Sequence, residues 1–174
     1  MNPAQSVLAI DPGLSGAMAW YDGDELEVAD LPVTCEKKKT RLDIAAFVAA
    51  TKGRFGAQNA LIEKVGSMPM QGLGSAFNFG FTTGAIHGVL AANGFTIHTV
   101  TPVQWKFGVG LNAVPGQDLK ARKAASRAKA SKLFPKHAHL FARVKDDGRA
   151  EAALMAWWFT HKRSPALARI GGDA

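Results

Sequence analysis

The first thirty residues are three short apolar segments separated by turn residues. That pattern restricts the chain to a sheet that begins as an antiparallel meander. Residues 6–10 form an apolar run ended by Asp11-Pro12-Gly13, a turn sequence. Residues 16–21 read as a second strand, Asp22-Gly23-Asp24 as a tight hairpin turn, and residues 26–31 alternate apolar and polar as a third strand should. Residues 32–40 read as a polar, basic loop. Residues 42–52 place Leu42, Ile44, Ala45, Phe47 and Val48 at helical spacing. Residues 60–65 predict a central strand. A helix between strands implies a crossover, so this strand should lie parallel to the first.

Beyond a Gly- and Met-containing loop over 66–74, the longest helical stretch spans 75–93 and is closed by Asn93-Gly94. A fifth strand is expected over 95–100, broken by Thr101-Pro102. Residues 108–117 read as a loop, 118–133 as a strongly basic helix ended by Pro135, and 147–162 as a last helix. The fold class expected is α/β: a mixed five-stranded sheet, three antiparallel N-terminal strands and two further parallel ones, flanked by helices. That is the ribonuclease-H-like architecture. Residues 1–163 are expected to form one domain, with 164–174 a frayed tail.

The charge balance narrows the partner. There are 21 Lys and Arg against 14 Asp and Glu, a formal +7, which favours a polyanion. Lys37, Lys38, Lys39 and Arg41 form one basic cluster; Lys120, Arg122, Lys123, Arg127, Lys129, Lys132 and Lys136 form another. Between Glu63 and Asp146 the only acid is Asp118. No run approaches the roughly 20 apolar residues needed to span a bilayer. No basic segment followed by a long apolar run opens the chain, and the single thiol, Cys35, cannot form an internal disulfide. The expected location is the cytoplasm, of a bacterial cell or of a host infected by a phage.

Four acids stand where surface acids are not expected. Asp11 ends the first strand; the plainer account is a turn-forming Asp before Pro-Gly. Glu63 lies inside Ala-Leu-Ile-Glu-Lys-Val, where alternation puts it on the face of Leu61 and Val65. A carboxylate there must be paired or must ligate a cation, unless the strand is an edge with a solvated face. Asp147 and Glu151 are four apart at the start of the last helix, hence on one face. A helix cap accounts for Asp147 alone but not for Glu151 beside the apolar run 152–159. Asp146 is an alternative ligand. Hard divalent cations such as Mg²⁺ take oxygen ligands, and crowded carboxylates repel one another without a cation, so the set predicts a bound cation.

The motifs Ala-Ile-Asp-Pro-Gly-Leu-Ser-Gly (9–16), Leu-Ile-Glu-Lys-Val (61–65), Phe-Thr-Thr-Gly-Ala-Ile-His-Gly-Val (81–89) and Asp-Gly-Arg-Ala-Glu-Ala-Ala-Leu (147–154) together resemble the RuvC-like Holliday-junction resolvases. The resemblance runs from about Leu8 to Trp158. It implies a homodimer that nicks a four-way DNA junction symmetrically with Mg²⁺ or Mn²⁺, one strand per subunit. The family's catalytic, metal-holding acids carry over to Asp11, Glu63, Asp147 and Glu151. Many members have an Asp three residues after the first of the last-helix pair, where this chain has Glu151 four residues on.

The segment Thr101-Pro102-Val-Gln-Trp-Lys106 resembles the family stretch that carries a DNA-contacting lysine, which makes Lys106 the candidate; Lys120 resembles a second. Arg122 and Lys123 on the same basic helix join them, since cutting a phosphodiester needs the backbone held by cations. The family's wedge at the junction centre is aromatic, whereas the equivalent position here is not. Met68, Met70 and Phe77 are the alternatives, although Phe77 and Phe81, at i and i+4, read more readily as core. Thr83-Gly84 and His87-Gly88 permit close helix approach, as a dimer interface would need, and His87 reads as a packed side chain. Rival readings are a same-fold nuclease for flaps or RNA–DNA hybrids, a non-catalytic junction-binding module, and, more remotely, an actin-like ATPase using Asp-Pro-Gly-Leu-Ser-Gly as a phosphate loop.

Overall fold

A computed structural model describes residues 6–36, 39–52, 56–64, 72–112 and 116–162. Strands β1 (Val7–Ile10), β2 (Ala17–Tyr21) and β3 (Leu26–Asp30) form the antiparallel meander. Helix α1 (Ile44–Ala50) crosses to β6 (Asn59–Glu63), α2 (Leu73–Ala92) crosses to β7 (Thr96–Val100), and both strands run parallel to β1. The five strands lie in the order β3-β2-β1-β6-β7, the mixed sheet that the sequence predicts. The last segments are α3 (Pro102–Gly108), α4 (Leu119–Leu133), 3₁₀ turns at Pro135–Phe141 and Val144–Asp146, and α5 (Asp147–Lys162).

Strand alternation divides the core into two layers. Val7, Ala9 and Leu61 face α5, with Trp105 and Phe141 in the same cluster. Leu8, Ile10, Ala60 and Ile62 face the other side, with Phe47, Ile86 and Leu90. β1 is buried on both faces, as a central strand with parallel and antiparallel neighbours should be. Helices α1, α3 and α4 each start where a polar side chain accepts from the first turn. Asp43 accepts from the Ala46 N–H ahead of α1, and Asp118 accepts from the Ala121 N–H ahead of α4. On α5, Phe159 is buried while Trp157 and Trp158 are half-buried.

Two expectations are corrected, and one segment without an expectation, residues 102–107, proves helical. Residues 32–40 are not simply a loop: β4 (Val33–Glu36) and β5 (Lys39–Leu42) form a separate antiparallel hairpin. Its residues are mostly exposed, so no apolar face marks a period of two. A helix follows Thr101 directly, because Thr101 and Gln104 make a reciprocal capping box and Pro102 occupies the first turn. Phe77 and Phe81 are not core: they are 73% and 52% exposed on α2. The face of α2 that enters the core carries Thr82, Ile86 and Leu90 instead. Lys37, Lys38, Met68, Met70 and the tail 164–174 lie outside the described residues.

Candidate active site

The parallel register pairs Ala9 with Leu61 and Ile10 with Ile62. One residue further along, Asp11 and Glu63 emerge from adjacent central strands on the face that carries α5. The turn after β1 is tight. The Asp11 N–H donates to Ala17 O, the Gly16 N–H donates to Gly13 O, and the Gly13 N–H donates to Asp11 Oδ1 at 3.3 Å. A Cβ at Gly16 would overlap the Asp11 carbonyl, so only glycine fits there.

The start of α5 docks on this turn through a second glycine. A Cβ on Gly148 would stand 2.8 Å from Ser15 O and 3.0 Å from Gly16 Cα. With no side chain at 148, the helix end presses onto the loop and carries Asp147 and Glu151 toward Asp11. Arg149, the next residue, makes a two-pronged ion pair with Asp30 on β3, with Nη2 to Oδ2 at 2.7 Å, which fixes the rotation of the helix. Neither glycine contact was legible from residue types alone, although both glycines stand inside the quoted motifs.

The electrostatics show that the four acids share one neighbourhood. The Asp11 carboxyl is pushed up to about 7, first by burial and then by Glu63, with smaller contributions from Glu151 and Asp147; the Gly13 N–H opposes them. Glu63, 8% exposed, is also raised, first by burial and then by Glu151, while Trp105 and Lys106 oppose. Its Oε1 accepts from Trp105 Nε1 at 2.8 Å. Glu151 Oε1 accepts from Lys106 Nζ at 3.1 Å and from Ser126 Oγ at 3.0 Å. Asp147 Oδ2 pairs with Lys123 Nζ at 2.6 Å. Lysines thus offset part of the negative charge. Among the described residues, no three acidic, imidazole or thiol side chains converge tightly enough to enclose an ion as they stand.

Asp146 does not join the other four. It is 2% exposed and accepts from the Arg143 backbone N–H at 2.8 Å and from the Arg143 guanidinium. Burial raises its carboxyl, but these bonds outweigh that and hold it below the ordinary range. Of the basic candidates, Lys106 and Lys123 touch the acids, Arg122 lines a cavity beside Lys106, and Lys120 is exposed at the start of α4. Phe77 stands on α2, 73% exposed. His87 is half-buried, with Nδ1 2.8 Å from Thr83 O, as a packed histidine would be. Sequence reasoning missed Trp105 and Ser126 as partners of the acids. The helix-start signature Thr-Pro-x-Gln was available to find the first: it fixes a helix whose first turns carry Trp105 and Lys106.

No family model matches the chain. In sequence it is 34% identical over 114 residues, 66% of its length, to the chloroplastic Holliday junction resolvase MOC1 of Chlamydomonas reinhardtii. The matched segment spans only 12% of that protein. Among solved structures it is similar to Thermus thermophilus RuvC in complex with a Holliday junction substrate, with a TM-score of 0.54 at 20% identity, covering 95% of this chain and 96% of that one. A second Thermus thermophilus RuvC structure gives 0.50 at 21% identity over the same shares. Among the described residues, no helix is long and apolar enough to cross a membrane. The chain has the ribonuclease-H-like fold of RuvC and, over 66% of its length, is similar in sequence to a Holliday junction resolvase.

Proposed function

We propose that residues 1–163 form a single nuclease domain that resolves four-way DNA junctions by paired nicks, as a divalent-metal-dependent endonuclease acting as a homodimer. The observation that carries this reading is the electrostatic coupling of Asp11 to Glu63, Asp147 and Glu151, beside Lys106 and Lys123. The names of the similar proteins, a Holliday junction resolvase and RuvC with a Holliday junction substrate, support the choice of DNA structure.

The donor set suits a hard cation, since all four groups offer carboxylate oxygens and their mutual repulsion favours a positive charge among them. Asp11, Glu63, Asp147 and Glu151 are the side chains that would hold it; Asp146 is engaged by Arg143. Bound Mg²⁺, or Mn²⁺ in its place, supplies an activated water and charge stabilisation for the leaving 3′ oxygen in a two-metal hydrolysis. The chain supplies the rest. Trp105 orients Glu63 from behind, and Ser126 orients Glu151. Lys106 and Lys123, which pair with acids of the site, would meet the scissile phosphate, and Lys120 and Arg122 would extend that basic strip along the backbone. Phe77, exposed on α2, is the described candidate for the wedge.

Two strands must be cut, so two sites are needed. Helix α2 suits a self-contact: no Asp, Glu, Lys or Arg occurs between Lys64 and Lys106, yet α2 exposes Phe77, Phe81, Gly80, Gly84 and Gly88. An uncharged exposed helix face is unusual on a solvated surface. Sedimentation should give a dimer for the wild type and a monomer for Phe81→Glu.

The test of the activity is a competition between labelled four-way junctions, linear duplex, flaps and RNA–DNA hybrids, with and without Mg²⁺. Symmetrical cutting of the junction is expected. Preference for flaps or hybrids would move the reading to a sister nuclease. Tight junction binding that is unaffected by Asp11→Asn, with no cutting in Mg²⁺ or Mn²⁺, would make the chain a binding module.

A further inference from the structure

We propose that the cavity between α3 and α4 receives one unstacked nucleobase of the strand held at the carboxylates, an inference that rests on the nuclease reading above. The cavity encloses about 300 Å³, the small end of the range for small-ligand sites. Val103, Phe107 and Leu111 supply apolar walls, while the amides of Asn112 and Gln117 lie in the same lining. Val103 and Phe107 are 78% and 75% exposed, so a large apolar surface faces solvent beside the most basic helix of the molecule. Such a surface marks a binding site more often than an accident of folding.

The chemistry of the lining selects the occupant. Lys106, paired with Glu151, and Arg122 line the cavity and, among the described residues, no acid does, which suits the phosphate-bearing part of a nucleotide. The apolar walls suit a base, and the Phe107 ring offers stacking that tolerates any sequence. Asn and Gln carry both a donor and an acceptor and can read a base edge. Position fixes which nucleotide this is. Lys106 and Ser126 line the cavity and also hold Glu151, so the cavity shares a wall with the acid cluster. A base seated there belongs to a nucleotide flanking the phosphate at the acids. Bases beside a branch point lack part of their stack, which lowers the cost of turning one out.

The experiment is an abasic scan. Junctions carrying a single abasic nucleotide at each position around the branch are titrated with the full chain in EDTA, so that binding is read without cutting. Wild-type affinity should fall at least about fivefold at one position per cut strand, the low end of a single base–aromatic stack. Phe107→Ala should lose that position dependence, and Phe107→Trp should restore it. An equal response of wild type and Phe107→Ala at every position would overturn the proposal. Failure of the parent nuclease reading shows separately, as uncut intact junctions in Mg²⁺, while the binding scan still decides the fate of the cavity.

Discussion

The indole of Trp105 donates to Glu63 across 2.8 Å in the interior of the site. The carboxylate that ends β6 is therefore held by a side chain from α3, the third element after it, and burial of both groups makes the bond hard to replace with water. Trp105→Phe keeps an aromatic ring, though a smaller one, and removes the donor. Glu63 is already raised by burial and by Glu151, so its carboxyl should rise further. Removing one partner of a buried hydrogen bond costs about 1–3 kcal/mol. Denaturant midpoints should fall accordingly, and the acidic limb of the cutting-rate profile should move to higher pH. An unshifted limb would show that the indole does not tune Glu63.

Gly148→Ala tests the docking of α5. Inside a helix the change should stabilise by about 1 kcal/mol on propensity alone. Here the new methyl would meet Ser15 O at 2.8 Å and Gly16 Cα at 3.0 Å, backbone atoms that cannot swing aside as a flexible side chain would. We expect a net loss of about 1–3 kcal/mol, typical of overpacking. Displacement of Asp147 and Glu151 should cost on the order of a hundredfold in cutting rate, as for other misplacements near 1 Å. A variant more stable than wild type with full activity would contradict the close approach.

The pH dependence of metal-free stability has a definite sign. Asp11 titrates near 7 in the folded chain against 3.8 for an ordinary Asp, so the folded state holds its proton more tightly. Its contribution is complete below about pH 4 and is lost as pH rises through about 7. Glu63 shifts in the same direction. Asp30 and Asp146 are lowered and act in the opposite sense, at pH values below the ordinary carboxylate range. Between pH 4 and 7, melting temperatures of the metal-free wild type should therefore fall relative to Asp11→Asn. Parallel curves for the two proteins would refute the assignment.

Neighbouring acids should separate by role. Asp146→Asn breaks a buried pairing with Arg143 and should lower the melting temperature while leaving the affinity for Mn²⁺ nearly unchanged. Asp147→Asn should do the reverse, because its carboxylate pairs with Lys123 at the site. Calorimetric titration with Mn²⁺, alongside thermal melts, distinguishes them.

The sheet order was legible because its strands carry strong apolar runs and the turn residues between them are unambiguous. Asp11, Glu63 and Glu151 were legible as candidates because each stands beside apolar sequence that a surface acid would not keep, and Asp147 because it lies four residues before Glu151 on the same helix face. Other features were hidden for identifiable reasons. The β4–β5 hairpin buries almost nothing, so alternation leaves no trace in its sequence. Phe77 and Phe81 have core-like spacing, but helix periodicity cannot say which of two apolar faces of an uncharged helix meets the sheet. Trp105 and Ser126 act across 42 and 25 positions of chain, and nothing local in the sequence announces such partners. Asp146 and Asp147 are adjacent, and only the 3₁₀ turn at Val144–Asp146 decides which one faces Arg143.

Acids from the end of β1, from β6 and from α5 would together hold divalent ions. Anomalous diffraction from crystals grown with Mn²⁺ tests it most directly. Manganese peaks should be ligated by Asp11, Glu63 and at least one of Asp147 and Glu151, with the corresponding lysine pair, Lys123–Asp147 or Lys106–Glu151, opened. Manganese bound elsewhere, with both lysine pairs intact and Asp11 unligated, would contradict it.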